Sequence, residues 1–105
     1  MKPEAKLTAA VMRLLDEIKK SGEPIFYVKI AGGPRQKRGL PDLHITYCGW
    51  SVWLELKAPG EDATPLQSAM LHRIRAAGAL ATVVWSVSEV EKILKAIRSA
   101  ERFVN

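Results

Sequence analysis

The stretch from Gly39 to Lys57 constrains the fold of this chain more than any other; it reads Gly-Leu-Pro-Asp-Leu-His-Ile-Thr-Tyr-Cys-Gly-Trp-Ser-Val-Trp-Leu-Glu-Leu-Lys. Leu43 to Tyr47 and Ser51 to Lys57 alternate apolar and polar residues, the period-2 signature of strands with one face in a core. Between them, Cys48-Gly49-Trp50-Ser51 predicts a hairpin with Gly49 first in a two-residue II′ turn. That register sets Asp42 opposite Lys57, His44 opposite Glu55 and Thr46 opposite Trp53. Leu43, Ile45, Tyr47, Val52, Leu54 and Leu56 then share the other face, and a slip of one residue would set hydrophobes against carboxylates.

The polar face carries the chemistry. Asp42 in a Pro-Asp step, with Glu55 and Lys57 in a Glu-x-Lys triplet, supplies two carboxylates and an ammonium from two adjacent strands. A hard divalent cation takes one or two protein carboxylates and leaves its other positions to water and substrate oxygens. Without such an ion, Glu55 and Lys57 would make an ordinary surface ion pair contributing ~0.2–1 kcal/mol. His44 falls on the same face, where it is expected chiefly as a polar neighbour of Glu55.

What precedes the Pro-Asp step points to an anion. Ile25 to Ala31 reads as a first strand, and Gly32-Gly33-Pro34-Arg35-Gln36-Lys37-Arg38-Gly39 follows as a loop of three glycines and three cations. Glycines let backbone amides approach a phosphate, and cationic side chains neutralise it. With Lys29 at the end of the strand, Arg35, Lys37 and Arg38 are the candidate DNA contacts. The whole chain agrees in sign, with 16 basic and 11 acidic residues giving a formal charge of +5, which favours a polyanionic partner.

The remaining segments read as scaffold. Leu7, Val11, Leu14, Leu15 and Ile18 recur at helical spacing over residues 3–20, with Pro3 in the first turn and Gly22 as a stop. Glu4 in that first turn complements the helix dipole and is also a candidate member of the site. Thr64-Pro65-Leu66-Gln67 is a capping box opening a second helix, whose apolar face is expected to hold Leu66, Met70 and Ile74 and which Gly78 ends. Leu80 to Trp85 is continuously apolar, predicting a buried central strand. Ser88-Glu89-Val90-Glu91 reads as another capping box, starting a helix with Val90, Ile93, Leu94 and Ile97 inward.

The element order is therefore α-β-β-β-α-β-α, an α/β chain with a mixed four-stranded sheet flanked by helices. At 105 residues a single domain spanning 1–105 is expected. One cysteine, Cys48, excludes an internal disulfide and any multi-cysteine zinc site. With no run of about 18 apolar residues and no signal-peptide pattern, a soluble, intracellular (cytoplasmic) protein without membrane partners is expected.

The ordered set of first helix, basic glycine-rich loop, Gly39-x-Pro41-Asp42, Glu55-x-Lys57 and Gln67 on the next helix resembles the VRR-NUC domain, a branch of the PD-(D/E)xK nuclease superfamily. The resemblance spans nearly the whole chain, and its length is similar to the standalone viral and bacterial members. It implies a restriction-endonuclease-like core and Mg²⁺- or Mn²⁺-dependent hydrolysis of DNA phosphodiesters. In standalone members it further implies a homodimer acting on branched DNA such as Holliday junctions. By the same resemblance, Asp42, Glu55 and the Leu56 carbonyl would bind the metal, Lys57 would be the catalytic lysine, Gln67 a supporting residue and Glu4 the acid of the first helix. The exposed aromatics expected at Trp50 and Trp53, or the last helix, would offer a dimer contact. The competing reading is a non-catalytic basic DNA-binding or architectural module; an RNA-directed nuclease is a third.

Overall fold

The helical period of the first twenty residues forms α1 (Pro3–Lys20), which buries Leu7, Val11, Leu15 and Ile18 along one stripe. Pro3 sits where a missing N–H is harmless, and the helix stops before Gly22, whose φ of +88° a β-carbon would resist. A computed structural model of the chain describes residues 1–32 and 38–104, with side chains as far as Ala100.

Four strands follow, β1 (Ile25–Lys29), β2 (Leu43–Tyr47), β3 (Trp50–Leu56) and β4 (Leu80–Val84), with α2 (Pro65–Ala76) crossing between the last two and α3 (Val87–Val104) closing the order. They make one sheet in the spatial order β1-β2-β3-β4, antiparallel in its first two pairings and parallel in the third. This is the mixed four-stranded sheet with three helices that the sequence predicts.

Alternation along the strands divides the sheet into two faces. Leu43, Ile45, Tyr47, Val52, Leu54, Leu56 and Val84 pack under α1 and α3, meeting Val11 and Leu15 from one helix and Val90, Leu94 and Ile97 from the other. Tyr47, with no exposed surface, gives its hydroxyl hydrogen to Glu23, so the largest side chain of this core has its polar end satisfied. Burial and that bond push the Tyr47 phenol well above its usual range, while the same bond, helped by Ser21 and Arg98, holds Glu23 below its own against the opposing effect of burial. On the opposite face α2 packs against β4, burying Met70 and Leu71.

Five local expectations are corrected. The β2–β3 turn is Cys48-Gly49, not Gly49-Trp50: both residues have positive φ, 50° and 83°, the I′ pattern, and Cys48 N–H is anchored on the Pro24 carbonyl at 3.0 Å. The register accordingly moves by two residues, so His44 faces Trp53 and Thr46 faces Ser51. β4 is an edge strand, not a central one; its unbroken hydrophobicity comes from pairing parallel to β3 between α2 and α3, which cover both faces. The last capping residue is Ser86, whose Oγ accepts from Glu89 N–H at 3.2 Å while the Glu89 carboxylate accepts from Trp85 N–H at 3.0 Å; Ser88 already lies within the helix. Leu66 is half exposed instead of inward, and Met70 with Leu71 takes the buried position.

Candidate active site

The two-residue change of register is what assembles the site. A ladder that pairs Leu43 with Leu54 brings Asp42, one residue earlier, against Glu55, one residue later. The two carboxyl groups therefore meet directly, and Lys57 does not face Asp42 as the original register would have it. A shift of two leaves the inside and outside of each strand unchanged, so the core is identical in both registers and only the polar pairs differ.

Asp42 is held from two sides. Its carbonyl accepts from Ile30 N–H at 2.7 Å, extending the β1–β2 ladder, and its Oδ2 accepts from Leu56 N–H at 2.7 Å. One carboxylate oxygen is thereby committed to the backbone. An extended residue directs its N–H and C=O to the same side of the strand, so the Leu56 carbonyl also points toward Asp42.

Glu55 is 2% exposed, and its Oε1 has no hydrogen-bond partner among the described residues. Buried carboxylates are ordinarily paired. Burial first, then the hydrogen bond and charge of Asp42, and least of all the charge of Glu4, push its carboxyl up to about 8, while Lys57 pulls the other way. An acid in this environment needs a proton or a cation to remain where it is. Alternation puts Lys57 on the same face as Glu55, and its backbone N–H is fixed on the Val84 carbonyl at 3.1 Å.

Beside Asp42 opens a cleft of about 340 Å³ between the end of β1, the chain at Arg38 to Leu40 and the first turn of α2. Gly39 closes the contact between the last two: its φ is +82°, and a β-carbon there would lie 3.0 Å from both Cγ and the carbonyl oxygen of Leu66. Only glycine fits that approach. Gln67 lines the cleft while completing the capping box, its Oε1 accepting from Thr64 N–H at 2.9 Å and its own N–H donating to Thr64 Oγ1 at 3.2 Å. Its side-chain amide hydrogens are not engaged by the cap. Thr64 and Leu66 also line this cleft, a role the sequence pattern hides because both already have structural explanations.

The other candidates scatter. Arg38 lines the cleft, but Lys29, paired with Leu43, starts out on the opposite face of the sheet, exposed at its edge. Glu4 is exposed in the first turn of α1, close enough for its charge to act on Glu55; among the described residues no three His, Cys, Asp or Glu side chains group closely enough to hold a metal ion. Arg35 and Lys37 lie outside the described residues. Trp53 is only partly exposed, stacked on His44, which removes it from the expected exposed aromatics and leaves Trp50. His44 itself is held below its usual range by burial, a neutral ring one ladder step from Glu55. Among the described residues no helix is long and apolar enough to cross a membrane.

No family model and no curated protein matches the sequence. The fold does find matches among solved structures. One described as "VRR_NUC domain" superposes with a TM-score of 0.71 at 22% identity, over 90% of this chain and 97% of that one. A second, "VRR_NUC domain protein", gives 0.72 at 20% identity over 94% and 88%. The chain thus has the fold of VRR_NUC domains over almost its full length.

Proposed function

We propose that the chain is a metal-dependent DNA endonuclease whose active site is built from Asp42, Glu55 and Lys57. The observation that carries this reading is the pairing of two carboxylates at one rung of the β2–β3 ladder, one of them buried with an oxygen that no described residue satisfies, beside an open cleft. Two carboxyl groups buried side by side are held together either by a shared proton or by a cation, and a bound cation would let both ionise.

The donor set fits a hard ion. Asp42, Glu55 and the Leu56 carbonyl are all oxygen donors, and two carboxylates are as many as Mg²⁺ ordinarily takes from protein. When bound there, Mg²⁺ or Mn²⁺ would supply Lewis-acid polarisation of the phosphate and acidify a water. The chain's own groups do the rest. The Leu56 N–H fixes one oxygen of Asp42 and so orients the other. Lys57 brings positive charge to the same face, where it stabilises charge that develops on the phosphate. Arg38 and the amide of Gln67, on the walls of the cleft, orient the strand, with Arg35 and Lys37 as further phosphate contacts.

Preference for branched DNA such as Holliday junctions, and pairing of two copies to present two sites to such a substrate, complete the reading; these rest on the resemblance in sequence and fold. Trp50 and α3 are the candidate contacts between copies. The deciding experiment incubates the protein with labelled duplex, flap, splayed-arm and four-way DNA in Mg²⁺, Mn²⁺ or EDTA, alongside folded Asp42→Asn and Lys57→Ala. Metal-dependent cutting that both substitutions abolish is expected. Salt-sensitive binding with no cutting in any metal would assign the chain to non-catalytic DNA binding instead.

A further inference from the structure

The sheet face that holds the acid pair continues away from it as a ladder. Asp42 with Glu55 is followed by His44 with Trp53 and then Thr46 with Ser51, each step about 6.8 Å along the strand. In the second step the imidazole and indole stack, centroids 3.9 Å apart and planes within 13°. Ser51 Oγ lies 3.1 Å from Trp53 Nε1 and 3.1 Å from His44 Nε2, so one hydroxyl orients both rings. Trp53 also borders a second cleft, of about 420 Å³, against the C-terminal end of α2. On the other side the face runs onto β1, where Val28 and Phe26 are exposed, the latter at 68%.

We propose that the His44–Trp53 stack is a platform for an unpaired nucleobase of the strand being cut, one nucleotide from the phosphate held at Asp42 and Glu55. The proposal rests on the nuclease reading and deepens it by naming what the site selects. A base within a duplex already has both faces covered by its neighbours, whereas a base at a gap, branch or end has a free face, and stacking on an aromatic ring is indifferent to sequence. The platform therefore selects unpaired structure, not a sequence. A nucleic-acid strand is the occupant because the platform is continuous with the acid pair, one rung away, and the chain carries a formal +5 that favours a polyanion. A protein partner seated there would close over the mouth of the site.

The test places 2-aminopurine at successive positions of a single-stranded, a gapped and a fully paired oligonucleotide and titrates the full chain in EDTA, then measures cutting of the same molecules in Mn²⁺. Quenching is expected at the one or two positions beside the cut linkage in the single-stranded and gapped molecules. Trp53→Ala should lose that quenching and about tenfold in affinity for unpaired DNA with duplex affinity unchanged, and Trp53→Phe should retain both. His44→Ala, which keeps the indole, gives the same direction of effect should the larger truncation impair folding. Equal preference for unpaired DNA in wild type and Trp53→Ala overturns the proposal. So does a Trp53→Ala protein that changes from dimer to monomer in sedimentation while keeping its base preference, which would assign the face to a second copy. Failure of the nuclease reading looks different, since Mn²⁺ would then produce no cutting while the stacking signal persists.

Discussion

The two faces of the sheet are made of alternate residues of the same strands, and they have opposite physical character. One, with Leu43, Ile45, Leu54 and Leu56, is dry and covered by two helices. The other places Asp42, Glu55 and Lys57 beside α2, and its outer half, toward β1, bears the exposed Val28 and Phe26. Leu54 and Glu55 are neighbours in the chain and equally inaccessible, yet one is stabilised by its surroundings and the other is strained by them. Burial by itself does not distinguish scaffold from site; what separates them is whether the buried group is left with a polar atom unsatisfied among the described residues, as Glu55 Oε1 is.

Substitutions on the two faces should therefore fail in different ways. Asp42→Asn and Glu55→Gln are expected to lower the rate of metal-dependent cutting by on the order of 10³-fold with no loss of thermal stability, read from single-turnover assays beside melting curves. If either substitution instead unfolds the protein, the two faces are not functionally distinct. Leu54→Ala should do the reverse, costing about 2–5 kcal/mol in denaturant unfolding while residual folded protein still cuts.

The buried acid also gives the comparison a pH signature. Glu55 in the fold is pushed up to about 8 from 4.5, so the folded state holds its proton more tightly than the unfolded chain does. The stability linked to this group is fully present below about pH 4.5 and is lost as pH rises through about 8, by at most roughly 5 kcal/mol. Metal-free wild type should lose stability over that window relative to Glu55→Gln, and added Mn²⁺ should restore it above pH 8. Parallel pH curves for the two proteins would show that Glu55 is not strained at all. The smallest effect is expected at the cleft wall, where Thr64→Ala removes the cap of α2 and should cost about 1 kcal/mol, measured by chemical denaturation, with cutting reduced only as far as Gln67 loses its anchor.

How much of this was legible depended on whether the signal was local. The stripe of α1 and the Thr64–Gln67 capping box follow from residues within one or two turns of each other, and both are found where the pattern puts them. Asp42, Glu55 and Lys57 were readable as a set, and their shared face followed from alternation alone. Their pairing was not readable. It depends on a turn in which Cys48 takes a positive φ, a conformation that glycine or asparagine would have advertised and cysteine conceals. The edge position of β4 was hidden because a strand covered on both faces has the same composition at an edge as in the middle. Ser86 and Ser88 compete as caps two residues apart, and the choice was made by where β4 ends.

The turn at Cys48-Gly49 stands five residues of extended strand from the acid pair, roughly 17 Å, and touches nothing that reacts. It nevertheless decides which side chains become neighbours at the far end of the ribbon, much as the first tooth of a zipper decides the alignment of the last. Hydrophobic selection tolerates either of two alignments, so the meeting of Asp42 with Glu55 is encoded in a backbone torsion remote from both. A turn moved by one residue along the chain would shift the ladder by two, keeping the core as it is while parting the two carboxylates.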